Sequence, residues 1–419
     1  HWRRRMSESR KQHQIPQSWS WTKLATIGTI INGDRGKNYP SRKHYVEQGI
    51  PFISAGNLEE GRIALESLNF IEQDKYDSLR SGKLQNGDII YCLRGTLGKC
   101  AIYELDSLAA ISSSLAILRL GIQVNKKYIF YYLRSPFGLE LVRLSDNGTA
   151  QPNMSAESFK NYDVPIAPLQ EQNRIVAKIE ELFSSLDKGI ESLKAAQQQL
   201  KIYRQSVLKW AFEGRLTENE NITWKKLGEL CDGVEYGSAA KSKEAGKIPV
   251  IRMGNLQNGR IDWNDLVYTN DEEEIGKYRL QANDVLFNRT NSPEWVGKTA
   301  IYKGERSAIF AGYLIRIRYK KNMLNPDYLN YYLNSQEAKN YGNSVKSFGV
   351  NQSNINGAKL KGYPFPVTSL YEQQRITSEI ETRFSVCSKL EESIRQGLDQ
   401  SEALRQSIFI KAFEGKLAI

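Results

Sequence analysis

Pro51-Phe-Ile-Ser-Ala-Gly-Asn-Leu58, followed by Gly61-Arg-Ile63, returns 198 residues later as Pro249-Val-Ile-Arg-Met-Gly-Asn-Leu256 with Gly259-Arg-Ile261. The spacing holds along the rest of the chain. Gly98-Lys-Cys-Ala-Ile-Tyr103 returns as Gly297-Lys-Thr-Ala-Ile-Tyr302 at 199, and Tyr131-Tyr-Leu-Arg-Ser135 as Tyr331-Tyr-Leu-Asn-Ser335 at 200. Leu169-Gln-Glu-Gln-Asn-Arg-Ile175 returns as Leu370-Tyr-Glu-Gln-Gln-Arg-Ile376, and Ala211-Phe-Glu-Gly214 as Ala412-Phe-Glu-Gly415, both at 201. Collinear matches at a nearly constant offset mark a tandem duplication rather than two unrelated domains that share turns.

Each copy has two parts of different character. Residues 15–168 and 217–368 mix short β-rich runs, such as Asp88-Ile-Ile-Tyr-Cys-Leu93, with turn clusters and a helix around 128–133 or 328–333. These read as α/β globules. Residues 169–216 and 369–419 carry no Pro and place apolar residues three and four apart, at Ile175, Ile179, Leu182 and Leu186, and again at Ile376, Ile380, Cys387 and Leu390. Pro165 and Pro168 mark the start of one such segment. Pro364, Pro366 and a capping box from Ser369 to Glu372 mark the other, and Gly214 and Gly415 stand where a helix stops. A helix of roughly 40 residues is about 60 Å long. A single apolar stripe needs a partner, and duplicated units are usually related by two-fold symmetry. The expected fold class is therefore α+β, with two pseudo-symmetric α/β globules joined by two long antiparallel coiled-coil-like helices, each globule near one end.

Composition narrows the function. The 419 residues carry 58 Lys or Arg against 47 Asp or Glu, a formal charge of +11. The excess is uneven: 22 basic against 16 acidic residues in 1–168, 8 against 6 in 169–216, 21 against 17 in 217–368, and 7 against 8 in 369–419. Ten of the eleven net positive charges lie in 1–168 and 217–368, four of them in the terminal arm, the footprint expected of a surface meant for phosphate. A merely basic soluble protein is the competing reading. No apolar run approaches the roughly 18 residues of a membrane span, so no membrane partner is expected. Four scattered Cys and three His argue against structural zinc and a disulfide framework, and a reducing cytoplasm fits. Residues 1–14 are set apart as a basic arm or tag remnant, with Met6 a plausible start.

Order, spacing and duplication together carry a resemblance. Each globule closes with a proline-marked Leu-x-Glu-Gln start (Pro165 to Gln172; Pro366 to Gln373) into a long helix ending Phe-Glu-Gly-Lys/Arg-Leu (Phe212 to Leu216; Phe413 to Leu417). The chain, over essentially its whole length, resembles the specificity subunit of type I restriction-modification enzymes. Arg94-Gly-Thr-Leu-Gly-Lys99 and the stretch from Gly148 to Ser155 are similar to that family's target recognition domains. The resemblance implies that each globule reads one half of a split double-stranded DNA site in the major groove and that the helices set the distance between halves. It also implies that two methyltransferase subunits dock on the helices, with restriction subunits as optional further partners in a prokaryotic cytoplasm. S-adenosylmethionine, ATP and Mg2+ would belong to those partners, and this chain would bind no cofactor and do no chemistry.

Polar, turn-rich stretches with basic residues are the candidate DNA contacts. Arg and Asn pair bidentately with base edges, whereas Lys mostly attracts phosphate. In the first globule they are Arg35, Lys37, Asn38, Tyr39, Arg42, Lys43 and His44, then Arg94, Thr96 and Lys99, then Gln151 and Asn153. In the second they are Lys241, Lys243 and Arg252, then Arg289, Thr290, Asn291 and Lys298, then Lys346, Asn351 and Gln352. The matching helical residues Gln172, Arg174 and Phe212, with Gln373, Arg375 and Phe413, are expected to form a surface that binds one kind of partner twice.

Rival chemistry is thin. Ser292 to Thr299 nearly fits a phosphate loop, but lacks the first Gly and runs into a strand-like sequence. Asn325-Pro-Asp-Tyr328 looks like an adenine methyltransferase motif, yet Asn125-Lys-Lys-Tyr128 in the other copy makes it a helix-capping turn. Pro326-Asp327 with Glu337-Ala-Lys339 fits a metal-nuclease pattern whose last part should lie on a strand. His44 is the only histidine outside the terminal arm, which leaves no catalytic triad. The alternatives are a self-contained nuclease or methyltransferase, and a coiled-coil protein that binds DNA without sequence preference.

Overall fold

The computed structural model describes residues 15–148, 151–218, 221–349 and 352–417; the amino-terminal arm and Asn351 lie outside them. The chain divides into two compact units. Unit 1 holds the residues up to Leu193 together with those from Gln396 onward, and unit 2 holds Lys194–Arg395. The division falls inside the two long helices, Leu169–Phe212 and Leu370–Phe413, rather than at the changes of composition. Each unit therefore contains a globule and part of both helices.

In unit 1 the central sheet has the order Gly28–Asn32, Leu115–Leu120, Ile89–Cys92, Cys100–Ile102, every neighbour antiparallel. Strands buried on both faces are nearly continuous in apolar residues, and alternate side chains divide between the faces. Ile89, Tyr91, Ala116 and Leu118 face a core built with the helices Lys126–Arg134 and Pro136–Ser145 and with Ile175, Ile179, Phe183, Phe409 and Phe413 of the long helices. Ile90, Cys92, Leu115 and Ile117 face a second core with Ile53, Leu58 and Tyr103. A smaller four-stranded sheet, Ala110–Ile111, Ile50–Ile53, Asn69–Ile71 and Tyr45–Val46, flanks the first.

Unit 2 repeats the plan. Cys231–Tyr236, Leu314–Tyr319, Asp284–Asn288 and Thr299–Tyr302 form the matching run of its sheet. The helix Pro326–Leu333 is capped by Asn325, whose Oδ1 accepts from the N–H groups of Asp327 and Tyr328, as Asn125 does for Lys127 and Tyr128. Asn325 is thus spent on a helix, as its repeat partner indicated. Glu337 and Lys339 lie on the helix Gln336–Val345, not on a strand, and Thr299 opens a strand rather than a helix. Neither the nuclease pattern nor the phosphate loop has its required setting.

The long helices are 44 residues each and pair antiparallel within both units. In unit 1 Phe183 meets Phe409 at 5.0 Å, Asp187 pairs with Arg405, and Leu193 lies against Gly397, so one helix ascends as the other descends. In unit 2 Arg204 lies 4.8 Å over the Phe384 ring and bonds Glu391 and Ser388. Arg405 over Phe183 at 4.6 Å is the same contact one repeat away. Gly214 and Gly415, at φ +78° and +68°, end the helices as left-handed caps that only glycine adopts without strain. Half of the expected capping box forms. Ser369 Oγ accepts from the Glu372 N–H at 3.2 Å, while the Glu372 carboxylate turns to Thr217 and Arg375.

All four cysteines are free and buried. Among the described residues no cluster could hold a metal ion, and no helix is long and apolar enough to cross a membrane.

Candidate nucleic-acid interface

Three strands of the unit 1 sheet share an edge: the carboxyl ends of Gly28–Asn32 and Ile89–Cys92 and the amino end of Leu115–Leu120. The chain leaves them into loops that carry Arg35, Arg94 and Ser113. The Arg94 loop is closed against residues 152–154 by backbone hydrogen bonds, Gly95 N–H to Pro152 O at 3.0 Å and Met154 N–H to Leu93 O at 2.9 Å, and by a bridge between Arg94 and Asn153. Asp146 Oδ1 accepts from the N–H groups of Gly148 and Asn153 at 2.9 and 3.0 Å, which holds its carboxyl below the usual range. Gly98 turns this loop at φ +80°, where a Cβ would also strike Val142.

The result is a platform with Arg94, Thr96, Gln151 and Asn153 exposed upon it. Arg35 reaches its side by bonding Ser113 O at 3.3 Å, and partial burial together with the charge of Arg94 lowers its pKa. Among the described residues neither arginine is in an ion pair. Two exposed arginines outside any ion pair make an anion-seeking arrangement.

Unit 2 builds the same platform from the corresponding edge. Thr290–Asn291 pairs with Ser353–Asn354, which pairs with Ser347–Phe348, and Asn354 donates to Thr290 Oγ1 at 2.7 Å. Ile355 N–H bonds Arg289 O at 2.8 Å, as Met154 N–H bonds Leu93 O. The sequence matched these loops, and the structure shifts their arginines by one residue. Arg289 occupies the place of buried Leu93, packs 4.9 Å over the Tyr236 ring and donates to Gly312 O at 3.0 Å, while Thr290 stands opposite Asn354 as Arg94 stands opposite Asn153. Arg289 holds the loop.

The remaining candidates divide by what they touch. Lys37, Arg42, Lys43 and His44 are exposed beside the smaller sheet of unit 1, but Asn38 bonds Ser78 O at 2.8 Å and Tyr39 packs edge-on against Phe52. Those two support the fold. Lys241 and Lys243 are exposed, whereas Arg252 is tied to Asp265 at 3.2 Å. Lys99 is exposed; its counterpart Lys298 lies 3.9 Å over the Trp295 ring and bonds Gln257, and its pKa is lowered by burial and by Lys339. Asn291 accepts from Ser292 N–H, Lys346 bonds Pro293 O and Asn343, and the carbonyl of exposed Gln352 accepts from Gly349 N–H.

The expected partner surface on the helices needs correction. Gln172 and Gln373 are 1% and 0% exposed. Gln172 accepts from Asn125 N–H and donates to Ala167 O, and Gln373 does the same with Asn325 N–H and Thr368 O. Phe413 plugs between Tyr128 and Tyr132, and Phe212 between Tyr328 and Tyr332, at 5.1 to 5.3 Å. A partner on the folded units cannot reach these four side chains, and they recur because each core repeats. Arg174 and Arg375 are exposed, the latter paired with Glu372.

A family model described as the type I restriction modification DNA specificity domain matches the chain twice, over residues 16–201 and 219–400. The chain belongs to this family. The specificity subunit of the type I restriction enzyme EcoKI of Escherichia coli K12 is 27% identical over 421 residues, covering 96% of this chain and 90% of that one. The StySPI specificity subunit of Salmonella potsdam matches to the same extent over 422 residues. Two solved structures share the fold at 20% identity. One, from work on complex assembly and conformational transition of the type I R-M system, has a TM-score of 0.76 and covers 97% of this chain and all of that one. The other, the HsdS subunit from Thermoanaerobacter tengcongensis, has 0.57 with 96% and 98% covered. As a DNA specificity subunit, the chain has its two family domains on the two repeats that carry the platforms.

Proposed function

We propose that this specificity subunit is a non-catalytic reader of a bipartite, asymmetric DNA sequence that directs two methyltransferase subunits, and restriction subunits where the system restricts, to that site. The observation that carries it is the duplicated platform: one backbone architecture closed at one sheet edge, displaying Arg94, Gln151 and Asn153 in unit 1 and Thr290, Gln352 and Asn354 in unit 2. Similar frames with different side chains read different half-sites. S-adenosylmethionine, ATP and Mg2+ act on the partners, in the cytoplasm of a prokaryotic cell, and the docking surface for those partners includes exposed helical residues such as Arg174 and Arg375.

Sequencing of modified bases in DNA from cells that express the chain with its methyltransferase partner is expected to show methylated adenine at one split motif. The purified chain alone should transfer no methyl group and cut no DNA with Mg2+. Activity of the chain by itself overturns the proposal. Helix length supplies a second test. Removing seven residues from both long helices preserves the apolar register and shortens each by about 10 Å, roughly 3 base pairs of duplex. The unread gap in the methylated motif should contract by that amount, and an unchanged gap refutes the helices as the spacer.

A further inference from the structure

Among the positions at which the two platforms differ, one carries an exposed aromatic ring, Phe348 of unit 2. The segment Phe348-Gly349 leading to Gln352-Ser353-Asn354 repeats Asn147-Gly148 leading to Gln151-Pro152-Asn153 at an offset of 201, so Phe348 matches Asn147 in sequence. Phe348 is 74% exposed, although burying such a ring ordinarily stabilises a fold by about 1.5 to 3 kcal/mol. One lysine lies over it and another is bonded to the serine before it. Lys346 Nζ lies 5.4 Å over its ring and bonds Pro293 O at 3.0 Å, and Lys359 Nζ bonds Ser347 Oγ at 2.6 Å. Pro293 belongs to a loop that is longer than its unit 1 counterpart, running from Thr290 to Gly297 against Arg94 to Gly98, and that loop adds Trp295, 53% exposed beneath Lys298. Unit 1 has no aromatic residue in the shorter loop, Arg94-Gly95-Thr96-Leu97-Gly98.

An exposed ring among lysines, on the edge already assigned to DNA, calls for a ligand that is anionic outside and offers an apolar group within. In the major groove the only apolar group on the base edges is the thymine 5-methyl. We propose that unit 2 specifies thymine at one position of its half-site through contact of the Phe348 ring with that methyl, with Lys346 and Lys298 drawing the phosphates. This inference rests on the DNA-reading function. Unit 1, with Asn147 at the matching sequence position, reads through hydrogen bonds and makes no such contact.

The test uses the full chain with its methyltransferase subunits and a library of random duplexes amplified either with thymidine or with deoxyuridine, which lacks only the methyl. With the wild type, preference at one thymine position, in one half-site alone, should fall by about tenfold on the deoxyuridine library. Phe348→Ala should lose the same preference on the thymidine library and show no further loss with deoxyuridine, while Phe348→Leu keeps most of it. An unchanged melting curve confirms that Phe348→Ala folds. If the wild type selects the same site from both libraries, or if the losses from Phe348→Ala and deoxyuridine add, the thymine assignment is overturned while sequence reading stands. If the wild type selects no sequence from either library, the DNA-reading function fails and the assignment with it.

Discussion

Alanine at Arg35, Arg94 and Asn153 together is expected to weaken binding of the assembled complex to its methylated motif by two to three orders of magnitude while changing its affinity for random duplex far less. The platform holds its shape through backbone bonds, from Gly95 N–H to Pro152 O and from Asn153 N–H to Asp146, which alanine leaves intact. What disappears is two guanidiniums and one amide. A bidentate side-chain contact to a base contributes about 1 to 3 kcal/mol of discrimination, so the loss of even two such contacts reaches a hundredfold or more. The alternative role for the arginines is phosphate attraction. That role predicts equal losses on both duplexes and a salt dependence of log K that falls by about two units. Titrations of both duplexes at several salt concentrations separate the two roles. The triple variant should melt close to the wild type, because it breaks no ion pair among the described residues and loses one exposed hydrogen bond, Arg35 to Ser113 O.

What the sequence made legible follows from how local each signal is. The duplication, the strands and the long helices were visible because apolar periodicity and glycine or proline punctuation are local properties. The loops of the platform were visible as sets because both copies kept their turn residues. Individual roles were not, since they depend on distant partners. Gln172 and Gln373 look like surface residues in a helix start, yet they are buried because each satisfies a backbone N–H some 48 positions away in sequence, at Asn125 and Asn325. Arg289 looks like Arg94 displaced by one loop, but strand pairing places it one residue earlier, and in extended backbone one residue reverses the face. Phe348 carried a faint signal, an aromatic residue where the other copy has Asn147, which comparison of the repeats could have raised.

The same comparison of repeats predicts the largest effect on stability. Arg316, 2% exposed, lies opposite Glu235 across the sheet, bonds its carboxylate at 2.8 to 3.1 Å and reaches Asp284 at 2.9 Å. The matching pair in unit 1 is Ile117 opposite Ile31. Arg316→Ile should destabilise unit 2 by about 3 kcal/mol, because it leaves the Asp284 carboxylate without its arginine and Glu235 with Arg318 alone. At roughly 2 to 4 °C per kcal/mol for a unit of this size, the melting temperature should fall by about 10 °C. Adding Glu235→Ile to Arg316→Ile restores the apolar pair that unit 1 already tolerates and should recover most of the loss, with Arg318 left free to take Asp284 as Arg119 takes Asp88 in unit 1. The cycle has a pH signature. Burial works to raise the pKa of Glu235, but the hydrogen bonds and charges of Arg316 and Arg318 outweigh it and hold the carboxyl below its ordinary value of 4.5. A group depressed on folding contributes stability that is full above the unfolded value and is lost as the pH falls through the folded one. Wild-type stability should therefore decline in acid below about pH 4.5 partly through Glu235. The double variant should lack that component. Denaturant titrations of wild type and variants between neutral and acid pH measure it, and equal acid slopes for the wild type and the double variant would show that the pair contributes nothing.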